Sequence, residues 1–248
     1  MKALITGASS GIGRDMARYL SNLGYDLVIV ARREDLLNEL KNELETNVKV
    51  VCMDVSIKEN CEKLFKENKD IDFLINNAGF GDFGKFTETD LNKELSMIDT
   101  NIKSTHILTK LYLQEMKDKG EGRILNVASI AGFMSGPLMA TYYASKNYVV
   151  ALTKAISKEL EKDKLNIHMS VLCPGPVKTN FDNVANVKFS LDGLSSEYVA
   201  KYAIDKALKN KKIIIPGKLM KLIYVGNKFA PMNLQLNIAY NSQSRKQK

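Results

Sequence analysis

The sequence predicts an α/β fold in which a doubly wound sheet of seven parallel strands carries helices on both faces. Short apolar runs alternate with helix-length segments throughout the first 215 residues. The apolar runs are continuous and do not alternate with polar residues, which is typical of strands covered on both faces. A length of 248 residues, with 45% hydrophobic and 26% charged residues, suits one globular domain.

The predicted elements follow one another as strand and helix. Apolar runs bounded by turn residues predict seven strands: Ala3–Thr6, Leu27–Val30, Val48–Met53, Phe73–Asn76, Gly122–Val127, Ile167–Leu172 and Ile213–Ile215. Apolar residues at helical spacing predict the helices between them: Ile12–Leu23, Glu34–Glu45, Lys58–Glu67, Leu91–Lys117, Thr141–Glu161 and Ser196–Leu208. Residues 1–217 are therefore expected to form one domain, followed by an extension over residues 218–248.

Charge is distributed unevenly along the chain. The net charge is +8, but residues 206–248 contain ten Lys or Arg and no Asp or Glu, so residues 1–205 carry −2. A basic protein can bind nucleic acid, yet these basic residues accompany no recognition motif. We expect no nucleic-acid partner.

Cysteine usage and the start of the chain bear on localisation. Cys52, Cys61 and Cys173 have no metal-ligand or redox spacing, and we expect reduced, buried thiols and no metal site. The chain runs from Met1-Lys2 directly into the first predicted strand, so no secretory signal is predicted. No apolar stretch approaches the roughly 18 residues of a membrane span. We expect a cytoplasmic protein.

Residues capable of binding or catalysis follow the predicted strands. In parallel sheets of this kind, ligands bind beyond the carboxyl ends of the strands. The residues after the first six strands are Gly7, Ala31-Arg32, Asp54, Asn77, Ser129 and Pro174-Gly175. One crevice can therefore hold all of them.

The first strand and the first helix are joined by a glycine-rich turn, TGASSGIG over residues 6–13. Glycines permit a tight turn and a close approach of the backbone to a pyrophosphate, whose charge is favoured at a helix amino end. The spacing is GxxxGxG, which differs from the GxGxxG fingerprint, and the Gly-Lys-Ser/Thr ending of a nucleoside triphosphate loop is absent. This Rossmann-type turn predicts a dinucleotide site formed by Gly7, Ser9, Ser10, Gly11, Ile12 and Gly13.

The residues after the second strand predict which nicotinamide cofactor is preferred. An acidic residue there would bind a ribose 2′-hydroxyl and repel a 2′-phosphate. Ala31 occupies this position and is followed by Arg32 and Arg33, whose guanidinium groups match a phosphate. We therefore predict NADPH over NADH; in the alternative, these arginines only cap or solvate the next helix.

Two further strand ends are expected to contact the adenosine part of the cofactor. Asp54-Val55 follows the third strand, where a side chain can hydrogen-bond the adenine amine, although a lone Asp can also cap the next helix. Asn76, Asn77, Ala78 and Gly79 end the fourth strand: the small residues leave room for the adenosine ribose, and the asparagines are expected to tie the sheet edge together.

A tyrosine and a lysine stand one helical turn apart at Tyr142 and Lys146, and Ser129 precedes the tyrosine by 13 residues. A phenol with an ordinary pKa near ~10 transfers protons poorly at neutral pH. A neighbouring cation favours the phenolate, so we expect Lys146 to lower the pKa of Tyr142. Tyr143 lies three residues from the lysine, and we expect a packing role for it.

These motifs together resemble the short-chain dehydrogenase/reductase family. The resemblance is carried by TGxxxGxG at residues 6–13, NNAG at 76–79, Asn101, Ser129, YxxxK at 142–146 and PG at 174–175, and it covers about residues 1–217. It implies the fold, a nicotinamide cofactor, and a catalytic tetrad formed by Asn101, Ser129, Tyr142 and Lys146. Family members are often dimers or tetramers joined through the long helices, which implies a homodimer or homotetramer here.

The resemblance also implies a role for each residue of the tetrad. Tyr142 would give a proton to a carbonyl oxygen, and Ser129 would hold that oxygen. Lys146 would bind the nicotinamide ribose, and Asn101 would support a water that leads protons to this lysine. Another segment resembles the family's PGxVxT pattern and would meet the carboxamide through Pro174, Gly175, Val177 and Thr179.

Two segments are expected to shape the substrate side. Residues 180–196 form a long apolar loop with Phe181, Val184, Val187, Phe189 and Leu191, which is typical of a lid, although a plain packed loop is the alternative. Residues 218–229 and 233–240 predict a basic amphipathic extension packed on or beside the domain, and residues 242–248 are expected to be disordered. Three roles are open for this extension. It covers the pocket or an oligomer interface, it contacts anionic membrane lipid peripherally, or it attracts an anionic substrate.

The sequence thus predicts an NADPH-dependent reductase of ketones or aldehydes, reversible as a secondary-alcohol dehydrogenase, with a small and apolar substrate. A 3-oxoacyl-thioester reductase acting on a carrier-protein or coenzyme A ester is the main alternative. A non-catalytic NADPH-binding protein is weaker, because both Tyr142 and Lys146 are present.

Overall fold

A computed structural model describes residues 1–181, residue 185 and residues 193–244. Its main sheet has seven parallel strands in the order β3-β2-β1-β4-β5-β6-β9, which confirms the predicted doubly wound fold. The strands of this sheet are β1 Lys2–Thr6, β2 Asp26–Ala31, β3 Val48–Cys52, β4 Phe73–Asn76, β5 Glu121–Val127, β6 Asn166–Leu172 and β9 Ile213–Ile214. A separate two-stranded sheet pairs β7 Val177–Lys178 with β8 Leu194–Ser195.

Helices cover both faces of the main sheet. They are α1 Gly11–Asn22, α2 Glu34–Asn42, α3 Lys58–Glu67, α4 Leu91–Ile98, α5 Ser104–Lys119, α6 Ala140–Lys162, α7 Ser196–Leu208, α8 Lys218–Asn227 and α9 Met232–Ser244. A 3₁₀ turn spans Ile130–Phe133, and a π-helical turn spans Asp99–Lys103.

The core has two main layers, one on each face of the sheet. Successive residues of a strand point to opposite faces, so Ile5 packs with the residues of α1, α2 and α7, while Leu4 packs with those of α3 and α5. Both side chains are fully buried. The continuous apolar runs of the sequence follow directly from this double coverage.

Most predicted element boundaries agree with the structure to within a few residues. The helix predicted over Leu91–Lys117 differs, because it is divided into α4 and α5 by the π-helical turn. The strand predicted over Ile213–Ile215 ends at Ile214, two residues before Pro216, which has no N–H to donate. The expectation of three buried thiols is wrong for Cys52, which is exposed because β3 is an edge strand.

A buried polar network ties the centre of the sheet to two helices. Asn76 Nδ2 donates to Asn126 Oδ1 at 2.9 Å, which joins β4 to β5 through their side chains. Asn76 also donates to Thr109 of α5, and Asn126 donates to Thr153 of α6, at 3.1 and 2.9 Å. Buried polar groups with several partners restrict packing to one arrangement, so this network fixes α5 and α6 against the sheet.

The C-terminal extension forms α8 and α9. Asn227 Nδ2 donates to the Phe133 carbonyl at 2.7 Å, and the Tyr224 ring lies 4.5 Å from the Phe133 ring. The disorder predicted from residue 242 is wrong for residues 242–244, which lie in α9, while residues 245–248 lie outside the described part of the chain. Among the described residues, no helix combines the length and the apolar character that crossing a membrane requires.

Candidate active site

A cavity of about 830 Å³ lies at the carboxyl edge of the sheet, with β1 and β4 at its centre. Strand order reverses direction around β1, and such switch points are where ligands bind in doubly wound folds. All the predicted site residues except Gly13 and Asn101 line this cavity: Gly7, Ser9, Ser10, Gly11, Ile12, Arg32, Arg33, Asp54, Val55, Asn77, Ala78, Gly79, Ser129, Tyr142, Lys146, Pro174, Gly175, Val177 and Thr179.

The glycine-rich turn is built for a close approach of backbone to ligand. Gly11 begins α1 with φ +55°, a conformation that side chains disfavour. Gly13 lies behind the turn, because a Cβ there would stand 2.4 Å from Asn77 Nδ2 and 2.5 Å from the Gly7 carbonyl oxygen. The first turn of α1 has no acidic residue, and Ser10 makes no capping hydrogen bond, so its N–H groups suit a phosphate.

Hydrogen bonds hold this turn against the end of β4. Asn77 Nδ2 donates to the carbonyls of Thr6 and Gly7 at 3.0 and 3.2 Å. The Thr6 hydroxyl accepts from the backbone N–H groups of Asn77 and Ala78. Asn77 therefore positions the turn, which is a task distinct from leaving room for a ribose.

The two arginines after β2 point toward different partners. Arg33 donates to the hydroxyls of Ser9 and Ser10, both at 2.9 Å, so its guanidinium lies over the glycine-rich turn. Arg32 lies 3.8 Å from the Asp54 carboxylate, and 72% of its side chain is exposed. Asp54 also accepts from the Ser56 N–H at 2.9 Å, so it closes the turn before α3 while lining the cavity.

The opposite half of the cavity brings together Ser129, Tyr142 and Lys146. The Ser129 hydroxyl lies close enough to the Tyr142 phenol to lower the pKa of that phenol, and only 9% of Tyr142 is exposed. Lys146 Nζ donates to the Val127 carbonyl at 3.1 Å and lies 5.8 Å from the centroid of the Tyr142 ring. A phenol, an alcohol and an amine therefore share one wall, as the sequence predicted.

Burial dominates the electrostatics of this group. It raises the pKa of the Tyr142 phenol, and the neighbouring Ser129 hydroxyl opposes this rise only in part. The prediction that Lys146 lowers the pKa of Tyr142 is therefore wrong for the protein chain alone, in which this pKa is raised. Burial also lowers the pKa of Lys146 to about 8, because a buried ammonium loses its hydration. A neutral phenol at neutral pH is suited to donate a proton.

Asn101 lies just behind the cavity wall, in the π-helical turn. Its amide donates to the Phe80 carbonyl at 2.9 Å and to the Ser145 hydroxyl at 3.0 Å, and its Oδ1 accepts from the Phe80 N–H. A Cβ at Gly79 would stand 2.8 Å from Asn101 Oδ1 and 3.2 Å from Lys146 Nζ. Asn101 and Lys146 thus flank one glycine, and the π-helical turn gives Asn101 this position.

Phe181, one of the predicted lid residues, packs 5.5 Å from the Tyr142 ring. Other walls were not predicted individually: Gln243 of α9 donates to the Tyr143 hydroxyl at 2.6 Å. Further lining residues are Met134, Met139, Met220, Ile223, Gln235, Ile238 and Ala239. A basic amphipathic pattern was the only sequence signal for α8 and α9. The remaining predicted lid residues Val184, Val187, Phe189 and Leu191 lie outside the described part of the chain.

The family model for short chain dehydrogenases matches residues 1–188. This match covers the strands and loops that build the cavity, from the glycine-rich turn through Thr179. The chain belongs to the short-chain dehydrogenase family. It is therefore an oxidoreductase of a family that acts on alcohol and carbonyl groups. Residues 218–244, which form α8 and α9, lie beyond the matched region.

Known relatives agree with this assignment. An uncharacterised oxidoreductase of Staphylococcus epidermidis is 36% identical over 181 residues, covering 71% of this chain and 78% of the relative. The 3-oxoacyl-acyl-carrier-protein reductase FabG of Rickettsia prowazekii is 33% identical over 189 residues, covering 75% of this chain and 76% of the relative. A short-chain dehydrogenase from Sphingobium yanoikuyae, solved in complex with NADPH, is 25% identical with a TM-score of 0.83, and the match covers 94% of each chain.

The lowered pKa of Lys146 predicts a pH-dependent stability difference. Since the pKa is about 8 in the folded chain and 10.5 ordinarily, the unfolded chain binds more protons between these pH values, and stability from this group rises with pH. Lys146→Met removes the buried charge, so its stability relative to wild type should be highest below pH 8. That advantage should shrink by about 3 kcal/mol between pH 8 and pH 10.5, as measured by urea unfolding.

Lys154→Met is the matched control, because it removes an exposed lysine from the same helix. Its stability difference from wild type should show no comparable decline over this range. A constant difference for Lys146→Met would mean that the amine is not desolvated.

Proposed function

We propose that this protein is an NADPH-dependent reductase of ketones or aldehydes, reversible as a secondary-alcohol dehydrogenase. The observation that carries the proposal is the placement of Ser129 and Tyr142 beside Lys146, on the wall of a cavity whose other half suits a dinucleotide. Bound NADPH would supply the hydride, while the protein supplies binding, orientation and the proton.

The cofactor half is assigned to residues whose chemistry fits a dinucleotide. The N–H groups at the start of α1 and the glycine-rich turn would hold the pyrophosphate. Asp54 and Val55 would contact the adenine, and Ala78 and Gly79 the ribose. Thr179 and the backbone of residues 174–177 would hold the carboxamide.

The preference for NADPH rests on Arg32 and Arg33. Ala31 leaves the end of β2 without a carboxylate that would repel a 2′-phosphate. Arg33 lies across the two serines of the glycine-rich turn, and the exposed Arg32 stands at the cavity rim. The Sphingobium relative solved with NADPH supports the same choice.

The proton is assigned to Tyr142. Its phenol is neutral at neutral pH and lies beside the Ser129 hydroxyl, so a carbonyl oxygen placed between them would accept two hydrogen bonds. Lys146 would bind the nicotinamide ribose and favour the phenolate once the proton has left. Asn101, held by Phe80, would support the water that returns a proton to this lysine.

The substrate is proposed to be small and apolar, because Met134, Met139, Ile223 and Ile238 contribute to the other walls. The Rickettsia relative favours one alternative, a 3-oxoacyl-thioester reductase.

We further propose residues 1–217 as the catalytic domain, a cytoplasmic location, and a homodimer or homotetramer joined through its long helices.

A substrate panel tests the proposal. Purified protein is assayed by the loss of NADPH absorbance with ketones, aldehydes, and 3-oxoacyl esters of coenzyme A and of carrier protein. Turnover of simple carbonyl compounds supports the proposal, and turnover of thioesters alone supports the alternative. NADPH binding without turnover of any compound would indicate a non-catalytic cofactor-binding protein.

Tyr142→Phe should reduce kcat by about 10²- to 10⁴-fold, the usual contribution of a positioned proton donor. NADPH affinity, measured by fluorescence, should stay close to wild type, because the ring and Lys146 remain. Tyr143→Phe is the matched control, since the Tyr143 hydroxyl is bonded to Gln243, away from Ser129. Full activity of Tyr142→Phe would refute the assignment of the proton.

Replacing Arg32 and Arg33 together by Ala should weaken NADPH binding by about 10- to 100-fold, because each replacement removes charge-assisted hydrogen bonds to the 2′-phosphate. NADH affinity should change little. Arg14→Ala is a suitable control, because Arg14 pairs with Glu43 on the outer side of α1. An unchanged ratio of the two cofactor affinities would remove the arginines from this role.

A further inference from the structure

The outward side of the C-terminal helices exposes large apolar side chains. Leu222 is 70% exposed, Phe229 82% and Met232 74%, while Val225 and Leu234 are about half exposed. We call this set, with Lys218, Lys221 and Lys228, the C-terminal surface. Single exposed apolar residues are ordinary, but five of them within residues 222–234, on α8, on α9 and, for Phe229, on the connection between them, mark an interaction site.

The contacts that anchor α8 determine which of its side chains face outward. At about 100° per residue, Leu222 and Val225 fall on one side of the helix. The opposite side carries Met220, which is 8% exposed, together with Tyr224 and Asn227, which contact Phe133. The helix thus presents apolar side chains both toward the cavity and toward solvent. A surface helix of a soluble protein typically carries polar residues on its solvent side.

The charge around this face has one sign. Residues 206–228 contain seven lysines and no acidic residue, whereas residues 1–205 carry −2 in total. Within the described chain, Lys218, Lys221 and Lys228 have no carboxylate partner. Lys221 instead donates to the Tyr202 hydroxyl at 3.1 Å, and Lys228 lies 4.5 Å over the Tyr224 ring. The apolar side chains are therefore bordered by cations whose charge no carboxylate of the described residues neutralises.

We propose that the C-terminal surface docks on a membrane rich in anionic lipid. Apolar side chains bordered by lysines fit the boundary between lipid headgroups and acyl chains, where each lysine near the surface adds electrostatic attraction. A second copy of this chain fits less well. A two-fold contact would bring the same patch against itself, so lysines would face lysines and none would meet a carboxylate.

Docking at this surface would bring the cavity to the lipid. Met220 and Ile223 of α8, and Ile238 and Ala239 of α9, line the cavity from within, so the docked helices form both the lipid-facing surface and the cavity wall. Resting on the function proposed above, the substrate is then a carbonyl or alcohol compound that partitions into the membrane. The docking itself does not depend on that function.

Vesicle sedimentation of the full-length protein tests the docking. Phosphatidylcholine vesicles with phosphatidylserine should sediment the protein at low salt, and high salt or omission of phosphatidylserine should each reduce binding about tenfold or more. Leu222→Gln with Phe229→Gln should weaken binding at least tenfold, because burial of two apolar side chains is lost. Lys218→Gln, Lys221→Gln and Lys228→Gln together should weaken it by about 100-fold.

Matched controls separate this surface from general charge and hydrophobicity. Lys58→Gln, Lys63→Gln and Lys66→Gln remove the same charge from α3, and Leu23→Gln removes an exposed leucine at the end of α1. These variants should bind vesicles as the wild type does. All variants should retain NADPH affinity, which verifies that they fold.

Three outcomes would overturn the docking: no binding to anionic vesicles, equal loss in the control variants, or a dimer in size-exclusion chromatography that Leu222→Gln with Phe229→Gln converts to monomer. The last result would assign the surface to a second copy. Vesicle binding by a protein that turns over no carbonyl compound would leave the docking intact and reject the proposed function, so the two failures are distinguishable.

Discussion

A primary amine is buried beside a phenol at the carboxyl edge of the sheet, and the organisation of the site depends on how the fold accommodates that amine. Lys146 has lost its hydration and is held by the Val127 carbonyl. Its pKa falls because burial penalises the ammonium, and the same burial keeps the neighbouring phenol protonated. The amine can reach this place because α6 packs closely on the 3₁₀ turn, where a Cβ at Gly132 would stand 2.7 Å from the Lys146 carbonyl oxygen.

Close backbone packing also joins the two halves of the cavity. Asn77 fixes the glycine-rich turn from the end of β4, and two residues later Gly79 fits between Asn101 and Lys146. A single short segment therefore contacts both the glycine-rich turn and the amine. Displacement of this segment would disturb both halves together.

The C-terminal helices α8 and α9 contribute both to the cavity wall and to the outer surface. They lie beyond the region shared with the family model, and yet they close part of the cavity wall and hold the Tyr143 hydroxyl through Gln243. Lys218 and Lys221 lie on α8, and Lys228 follows it directly; they are three of the ten basic residues that make the chain basic from residue 206 onward. The residues that match the family model and the residues of the C-terminal surface are thus separate along the sequence and adjacent in space.

The sequence by itself determined the sheet, the edge where the site lies, and a set of residues of which nearly all line the cavity, because strand and helix periodicity and the residues that end each strand are local properties. Tertiary structure decided what depends on distant segments. It set the exposure of Cys52 on an edge strand, the π-helical turn that turns Asn101 toward Phe80, and the reach of Gln243 to a tyrosine 100 residues earlier. It also decided the sign of the Tyr142 pKa shift, because sequence spacing gives the distance to a cation but not the desolvation that outweighs it.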